Sequence, residues 1–377
     1  MKKTRVMIVA GEASGDLHGG NLARALLAQR PGIELFGIGG ENMRAAGVDT
    51  LVDNREIAVV GIWEVLSHFG VIKAAFDRMK RILEDDPPEL VILIDYPDFN
   101  LRLAKIARKA GVRVVYYISP QVWAWRRGRV KKMAGLIDKM LVAFQFEEKF
   151  YKDAGIDCAF VGHPLLDAVG ETPGREELAS RLGLDPERPV AGLLPGSRKK
   201  ELSFHLPVIL ESYRLLKDKM PDVQGVIPVA GTLARSDFRP YMQGFEDVRL
   251  VERDTAGVMG LMDAAVVVSG TATLQTALYG KPMVIIYRLS RLTYMIGRMM
   301  IKLKNIGLVN LVAGREVVPE LVQYDATPEK ISSLIFKMFC DKAYYDGIKT
   351  ELDMVREKLG GGGASARAAG EVLRLLD

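Results

Sequence analysis

The sequence predicts an α/β protein built as two Rossmann-like domains. Three observations lead there. Near the N-terminus the apolar run Arg5–Ala10 passes through Gly11-Glu12-Ala13-Ser14-Gly15-Asp16-Leu17-His18-Gly19-Gly20 into a helical pattern, Leu22–Leu27. Strand, glycine-rich turn, helix is how such a unit opens. Further on, Val91-Ile92-Leu93-Ile94 reads as a buried parallel strand that ends in Asp95 and is stopped by Pro97. The same rhythm restarts at Pro189–Leu194, after a hinge expected at Gly162-His163-Pro164. A chain of 377 residues suits two domains, at roughly 100–200 residues each. The expected division is 1–164 and 165–363. A last helix, about 364–377, follows the glycine break Gly360–Gly363 and returns to the first domain.

Composition narrows the class. With 49% hydrophobic and 26% charged residues the chain is an ordinary globular protein. Cys158 and Cys340 lie far apart and form no CxxC pair, and the four histidines have no ligand spacing, so no metal site is expected. Met1–Ala10 is basic and then apolar, but too short for a signal peptide. No apolar run reaches the ~18 residues that a membrane span needs. The net charge of +5 is modest but unevenly spread. Phe99–Ile137 holds ten Lys or Arg and no acid; Ala264–Arg315 holds seven and no acid. Such bias suits phosphates, nucleic acid or an anionic membrane surface, and part of it is solvated helix face.

In the first half, Glu12, Ser14, Asp16 and His18 crowd polar groups at the end of the first strand; the glycine spacing is not GxGxxG, which argues against a nicotinamide site. Each of them can equally cap the helix that follows. Ile33–Ile38 is a second strand. Ile62, Val65, Phe69, Ile72, Phe76, Met79 and Leu83 form one apolar stripe, widened by Trp63, Leu66 and Val71. It is either a core face or a surface for acyl chains. Asp95 sits where a catalytic acid or base would, although Asp95 and Asp98 also suit a helix cap. Arg113–Ile118 is another strand, and Ser119-Pro120-Gln121-Val122-Trp123-Ala124-Trp125-Arg126 beyond it is either a ligand wall or a packed loop. His163 is expected to serve a hinge hydrogen bond rather than catalysis.

In the second half, Pro195-Gly196-Ser197-Arg198-Lys199 is a plausible phosphate cradle. Ala264–Val268 ends in Ser269-Gly270-Thr271-Ala272-Thr273-Leu274-Gln275, a helix start that presents backbone N–H groups. Arg291–Lys304 mixes Met295, Met299 and other apolar residues with Arg298, Lys302 and Lys304, which suits either an interfacial segment or a buried helix. Asn310 to Glu316 closes another glycine-bounded loop.

Taken together these motifs resemble the lipid A disaccharide synthases, a GT-B type glycosyltransferase family. The resemblance covers nearly the whole chain. It rests on GEASGD (Gly11–Asp16), IDYPDFN (Ile94–Asn100), SPQVWAWR (Ser119–Arg126), GHP (Gly162–Pro164), LLPGSR (Leu193–Arg198), SGTATL (Ser269–Leu274) and NLVAGRE (Asn310–Glu316). It implies two facing Rossmann-like domains, the first for acceptor and catalysis, the second for the UDP-sugar. It implies that UDP-2,3-diacylglucosamine and 2,3-diacylglucosamine 1-phosphate (lipid X) give a β-1,6-linked disaccharide 1-phosphate and UDP, with inversion and with neither metal nor cofactor. The chain has no DxD motif, in keeping with that. By resemblance Asp95 is the base, with Glu12, Ser14 and Asp16 in the catalytic loop. Arg198, Ser269, Gly270, Thr271, Thr273, Gln275, Asn310, Arg315 and Glu316 are expected at the UDP-sugar. Gln275 stands where many relatives carry a ribose-binding glutamate. Trp63, Leu66, Phe69, Ile72, Met295, Arg298, Met299 and Lys302 are expected to meet acyl chains or an anionic inner-membrane surface. The enzyme is then cytoplasmic and peripheral, with no nucleic-acid partner; a homodimer is allowed. The rivals are a UDP-N-acetylglucosamine 2-epimerase, the transferase that makes lipid II, and a lipid-binding protein without activity.

Overall fold

The structure is a computed structural model that describes residues 4–57, 69–120, 130–170, 172–289 and 305–377, with only the backbone of Phe69. Trp63, Leu66, Trp123, Trp125, Arg126, Met295, Arg298, Met299 and Lys302, and the side chain of Phe69, lie outside the described residues. The chain forms two compact units, Met1–Ala168 with Leu359–Asp377, and Val169–Lys358.

The first unit is a parallel sheet of β1 (Arg5–Ala10), β2 (Glu34–Gly39), β3 (Asp49–Asp53), β4 (Leu90–Ile94), β5 (Arg113–Tyr117), β6 (Lys139–Val142) and β7 (Cys158–Phe160). Their order is β3-β2-β1-β4-β5-β6-β7. Strand side chains alternate between the two faces. Met7, Val9, Val91, Leu93, Val114 and Tyr116 enter one core; Val6, Ile8, Ile92, Ile94, Val115 and Tyr117 enter the other. Burial on both faces is why the central strands read as unbroken apolar runs. The edge strand β3, with Asp at both ends, carries no such run and has no signature in the sequence.

Helix Phe69–Asp85 covers the first of these cores. Ala75, Met79 and Leu83 are buried in it, and Ile72 and Phe76 pack against it. Over its described length the apolar stripe is therefore a core face, which corrects the acyl-surface expectation for Ile72. Val71 alone points out, at 41% exposure.

The second core is covered by helices Ala13–Gln29 and Ala364–Leu376. The C-terminal helix returns to the first unit as expected. Asp167 caps it, accepting from the backbone N–H groups of Gly363 at 2.6 Å, Ala364 at 3.1 Å and Ser365 at 2.8 Å. Such a cap is worth roughly 1 kcal/mol. Arg367 donates to the carbonyls of Val161, Gly361 and Gly362, and the N–H of His163 donates to Leu359. The Gly162-His163-Pro164 turn is thereby sewn to the returning chain.

The second unit repeats the plan with β8 (Val190–Leu194), β9 (Gln224–Val229), β10 (Arg249–Glu252), β11 (Ala264–Val268), β12 (Met283–Tyr287) and β13 (Glu320–Val322), ordered β10-β9-β8-β11-β12-β13 and all parallel. Both sheets therefore have their topological switch point beside the first strand, between β1 and β4 and between β8 and β11. Ligands of open α/β sheets bind beyond the carboxyl ends of the strands at such points.

Candidate active site

β1 and β4 end side by side, with Ala10 the register partner of Ile94. Gly11-Glu12 and Asp95-Tyr96 are consequently neighbours. Asp95 and Tyr96 both adopt left-handed backbone, with φ of 46° and 47°. That conformation costs a residue with a Cβ roughly 1–2 kcal/mol. It lets the chain turn from β4 into helix Pro97–Lys109 within two residues. Asp98 falls in the first turn of that helix, where an acid suits the dipole, while Asp95 stays at the strand end.

Glu12 is the N-cap residue of helix Ala13–Gln29, but its side chain makes no capping bond. The leading N–H groups of the helix, those of Ala13, Ser14 and Gly15, have no acceptor within it, which favours a nearby anion. Ser14 lies in the first turn and is half-buried, as is Glu12. The Tyr96 hydroxyl donates to the Ile57 carbonyl at 3.0 Å. Burial, then the charges of Glu12 and Asp98, push that hydroxyl above its ordinary pKa, so it remains a donor.

Asp16 is committed elsewhere. Its carboxylate, 4% exposed, accepts from the backbone N–H groups of Gly40 (2.6 Å), Asn42 (3.0 Å) and Met43 (3.1 Å) and from Asn42 Nδ2 (2.9 Å). It caps helix Glu41–Ala45 and ties the end of β2 to the first turn, which corrects the catalytic-loop expectation to a scaffold role. His18 and His163 are buried with ring centroids 6.3 Å apart. Burial lowers His18 to about 4 and His163 to about 3. Neutral His163 accepts the N–H of Leu165 at Nδ1, so it serves the hinge.

In the second unit, helix Lys199–Lys219 follows β8 and helix Thr271–Leu278 follows β11; neither has a side-chain cap. Gly196, at φ +106°, makes the turn after β8. The Arg198 side chain, 45% exposed, lies 3.2 Å from Glu201, whose carboxylate also accepts the N–H of Ser197 at 2.8 Å. The Ser269 hydroxyl donates to the Ile306 carbonyl and the Thr273 hydroxyl to Gly270. These two hydroxyls thus shape the turn, and the backbone N–H groups of Thr271 and Ala272 are what it offers an anion. Gln275 is half-buried one turn further on.

Asn310 does not join this group. It is fully buried, and its amide donates to Val318 and Glu320 while its oxygen accepts from Val317 and Val318. It secures a loop. Arg315 and Glu316 follow helix Leu308–Ala313 and precede β13. Arg315 pairs with Glu351 at 2.6 Å. The charge of Glu316 bears on Tyr344, whose neighbour Tyr345 donates to the carbonyl of Asp263, just before β11. In this structure Asn310 is spent on its own loop and Arg315 on Glu351.

The sequence matches the family model for lipid-A-disaccharide synthetase over residues 6–360. The chain belongs to the lipid-A-disaccharide synthetase family. A lipid-A-disaccharide synthase of Geobacter metallireducens is 53% identical over 99% of this chain and 97% of its own length. One from Coxiella burnetii is 41% identical over the full length of both. Among solved structures, a UDP-GlcNAc 2-epimerase from Neisseria meningitidis aligns with a TM-score of 0.68 at 13% identity, over 98% of this chain and 100% of its own. A calicheamicin glycosyltransferase aligns at 0.62 and 15%, over 100% and 99%. At those identities the two structures share the fold alone. Membership of the lipid-A-disaccharide synthetase family makes the chain a glycosyltransferase of lipid A biosynthesis.

In each unit, residues that the motifs did not flag hold the strand-end loops in place. Asn54, at the end of the unrecognised strand β3, donates to the carbonyl of Glu12. Glu320 accepts the N–H groups of Ile306 and Gly307, and Thr232 donates to the Ser197 carbonyl. Their partners are remote in sequence, so spacing carried no signal for them.

Proposed function

We propose that this chain transfers the 2,3-diacylglucosaminyl group of UDP-2,3-diacylglucosamine to the 6-hydroxyl of lipid X. The single observation that carries the reading is Asp95, a carboxylate at the end of β4 beside an uncapped helix start, in a chain of this family. Asp95 takes the proton of the 6-hydroxyl while that oxygen bonds to C1 of the donor sugar. The C1–O bond to UDP breaks, and its electron pair leaves on the diphosphate. Attack opposite UDP inverts C1 and gives the β-1,6 link. General-base assistance of this kind is worth roughly 10²–10⁴ in rate. Glu12 and Ser14 attend the acceptor. In the second unit Arg198 and the N–H groups of Thr271 and Ala272 meet the leaving charge, and Gln275 bonds the ribose. No metal takes part in this reading, so EDTA should leave the rate unchanged.

The enzyme acts as a cytoplasmic protein on an anionic inner-membrane surface. Among the described residues no helix is long and apolar enough to cross a membrane. Arg102, Lys105 and Lys109 on helix Pro97–Lys109, with Lys131 and Lys132, are exposed basic residues. Each adds about 1 kcal/mol near anionic lipid, and salt screens it. Binding to anionic vesicles should weaken as salt rises.

Release of UDP from UDP-2,3-diacylglucosamine, measured with and without lipid X, tests the reaction. Release should require lipid X. Interconversion of UDP-N-acetylglucosamine alone would support the epimerase reading, and no release with both lipids would support a lipid carrier.

A further inference from the structure

We infer that Tyr116, together with Asn100, is a positioning residue that aims the Asp95 carboxylate by holding the Asp95 backbone in its left-handed conformation. The inference rests on Asp95 as the base.

Two successive left-handed residues, neither of them glycine, are seldom adopted without support. Strain of this kind persists only where surrounding contacts over-determine it. Here the support converges on one atom. The Asp95 carbonyl oxygen accepts the Tyr116 hydroxyl at 2.5 Å and Asn100 Nδ2 at 2.7 Å. Asn100 Nδ2 also donates to the Ile94 carbonyl at 3.1 Å, and the Asn100 N–H to the Tyr96 carbonyl at 3.0 Å. Asn100 and Tyr116 are both fully buried. Tyr116 stands on β5 as the register partner of Leu93, two residues before Asp95. Its hydroxyl therefore approaches from the rigid centre of the sheet. Burial first, and then the charge of Asp95, keep that hydroxyl well above its ordinary pKa, so it donates at any working pH.

A phenolic hydroxyl on a buried strand needs a partner, but the strand's own carbonyls are already in the ladder. The carbonyl of a strained turn residue is an unusual choice. Locking it fixes φ and ψ of Asp95, and with them the direction of its Cα–Cβ bond. A base displaced by about 1 Å loses up to roughly 10² in rate.

Tyr116→Phe removes only the hydroxyl oxygen and keeps the ring that fills the core, so the fold should survive. We expect kcat to fall about tenfold, with KM for both substrates changed by less than about twofold, because neither substrate touches Tyr116. In the Asp95→Asn background the same change should have no further effect on kcat, since it acts only through the carboxylate. An unchanged kcat in Tyr116→Phe overturns the inference, and so does an equal loss in both backgrounds. Asn100→Asp, which keeps the shape and loses the donor, should follow the same pattern; if it fails to fold, Tyr116→Phe decides. Asp95→Asn turning over at the normal rate would overturn the base assignment, and this inference with it. An inactive Asp95→Asn beside a fully active Tyr116→Phe would overturn the positioning role alone.

Discussion

The ring of Tyr96 lies directly over Gly11. A Cβ added at Gly11 would sit 2.4 Å from Tyr96 Cδ1 and under 3 Å from two more ring atoms. Tyr96 cannot simply move aside, because its hydroxyl is bonded to Ile57 and its backbone is left-handed. The first glycine of the N-terminal loop thus exists to admit a side chain from the neighbouring strand end. Gly11→Ala should destabilise the protein by roughly 1–3 kcal/mol, as overpacking does, and should lower activity by disturbing Asp95. Adding Tyr96→Ala should restore most of the lost stability in a thermal melt without restoring activity. If Gly11→Ala melts like the parent, the contact is not rigid.

At Asp95, stability and activity should part company. Asp95→Asn should keep the fold and lose roughly 10²–10⁴ in rate. Asp95→Gly should be inactive as well, yet more stable than Asp95→Ala by roughly 1 kcal/mol, because glycine carries no penalty at φ 46°. Melting curves and UDP release on the three variants check this. A fully active Asp95→Asn would move suspicion to Glu12.

Asp16→Ala should fail in a different way. It leaves the buried N–H groups of Gly40, Asn42 and Met43 without their acceptor. A loss of roughly 2–4 kcal/mol is expected. Activity should follow the folded fraction when measured across temperature. A stable, folded but inactive Asp16→Ala protein would return Asp16 to the chemistry.

The two arginines of the second unit offer a paired test. Arg198→Ala should raise KM for the UDP-sugar several-fold while leaving KM for lipid X alone, because a guanidinium grips phosphate oxygens as a fork and alanine cannot. Arg315→Ala breaks only a half-exposed pair with Glu351. It should alter stability by less than about 1 kcal/mol and leave both KM values unchanged. A rise in UDP-sugar KM for Arg315→Ala would return Arg315 to the donor site.

Stability should fall on mild acidification. His18 and His163 have folded pKa values depressed from 6.5 to about 4 and about 3, chiefly by burial. The unfolded chain then binds more protons between pH 6.5 and the folded values, so their contribution is complete above pH 6.5, declines as pH falls below it, and is gone below the folded values. At pH 5 the loss amounts to roughly 2 kcal/mol per histidine. His163→Asn keeps an acceptor for the Leu165 N–H and cannot titrate. Its stability should decline less between pH 7 and pH 5 than that of the parent. Equal slopes would mean that His163 is already protonated in the folded state.

Much of this is legible in the sequence. The buried strands β1, β4, β8 and β11 announce themselves because both of their faces are covered, and that leaves unbroken apolar runs. The loops after them stand out because glycine, hydroxyl and charged residues follow abruptly. The order of seven such motifs is specific enough to point to the family. Local pattern, however, records what a residue is and not what it faces. Asp16 and Asn310 look like site residues by type, yet their polar atoms are spent on Gly40, Asn42 and Met43, and on the backbone of Val317 and Val318 and the carboxylate of Glu320. Ile72 belongs to a stripe that suits lipid or core equally, and only the sheet beneath it decides. Arg315 looks like a phosphate-binding arginine by type, yet its guanidinium pairs with Glu351, a partner on a distant helix. Tyr116 reads as plain strand interior; its hydroxyl acquires a purpose only when β4 and β5 pair and bring it to Asp95. Hydrophobic period and turn chemistry are local and therefore written along the chain. Hydrogen-bond partners and sheet edges are relations between distant segments, and they exist only once the strands are in register.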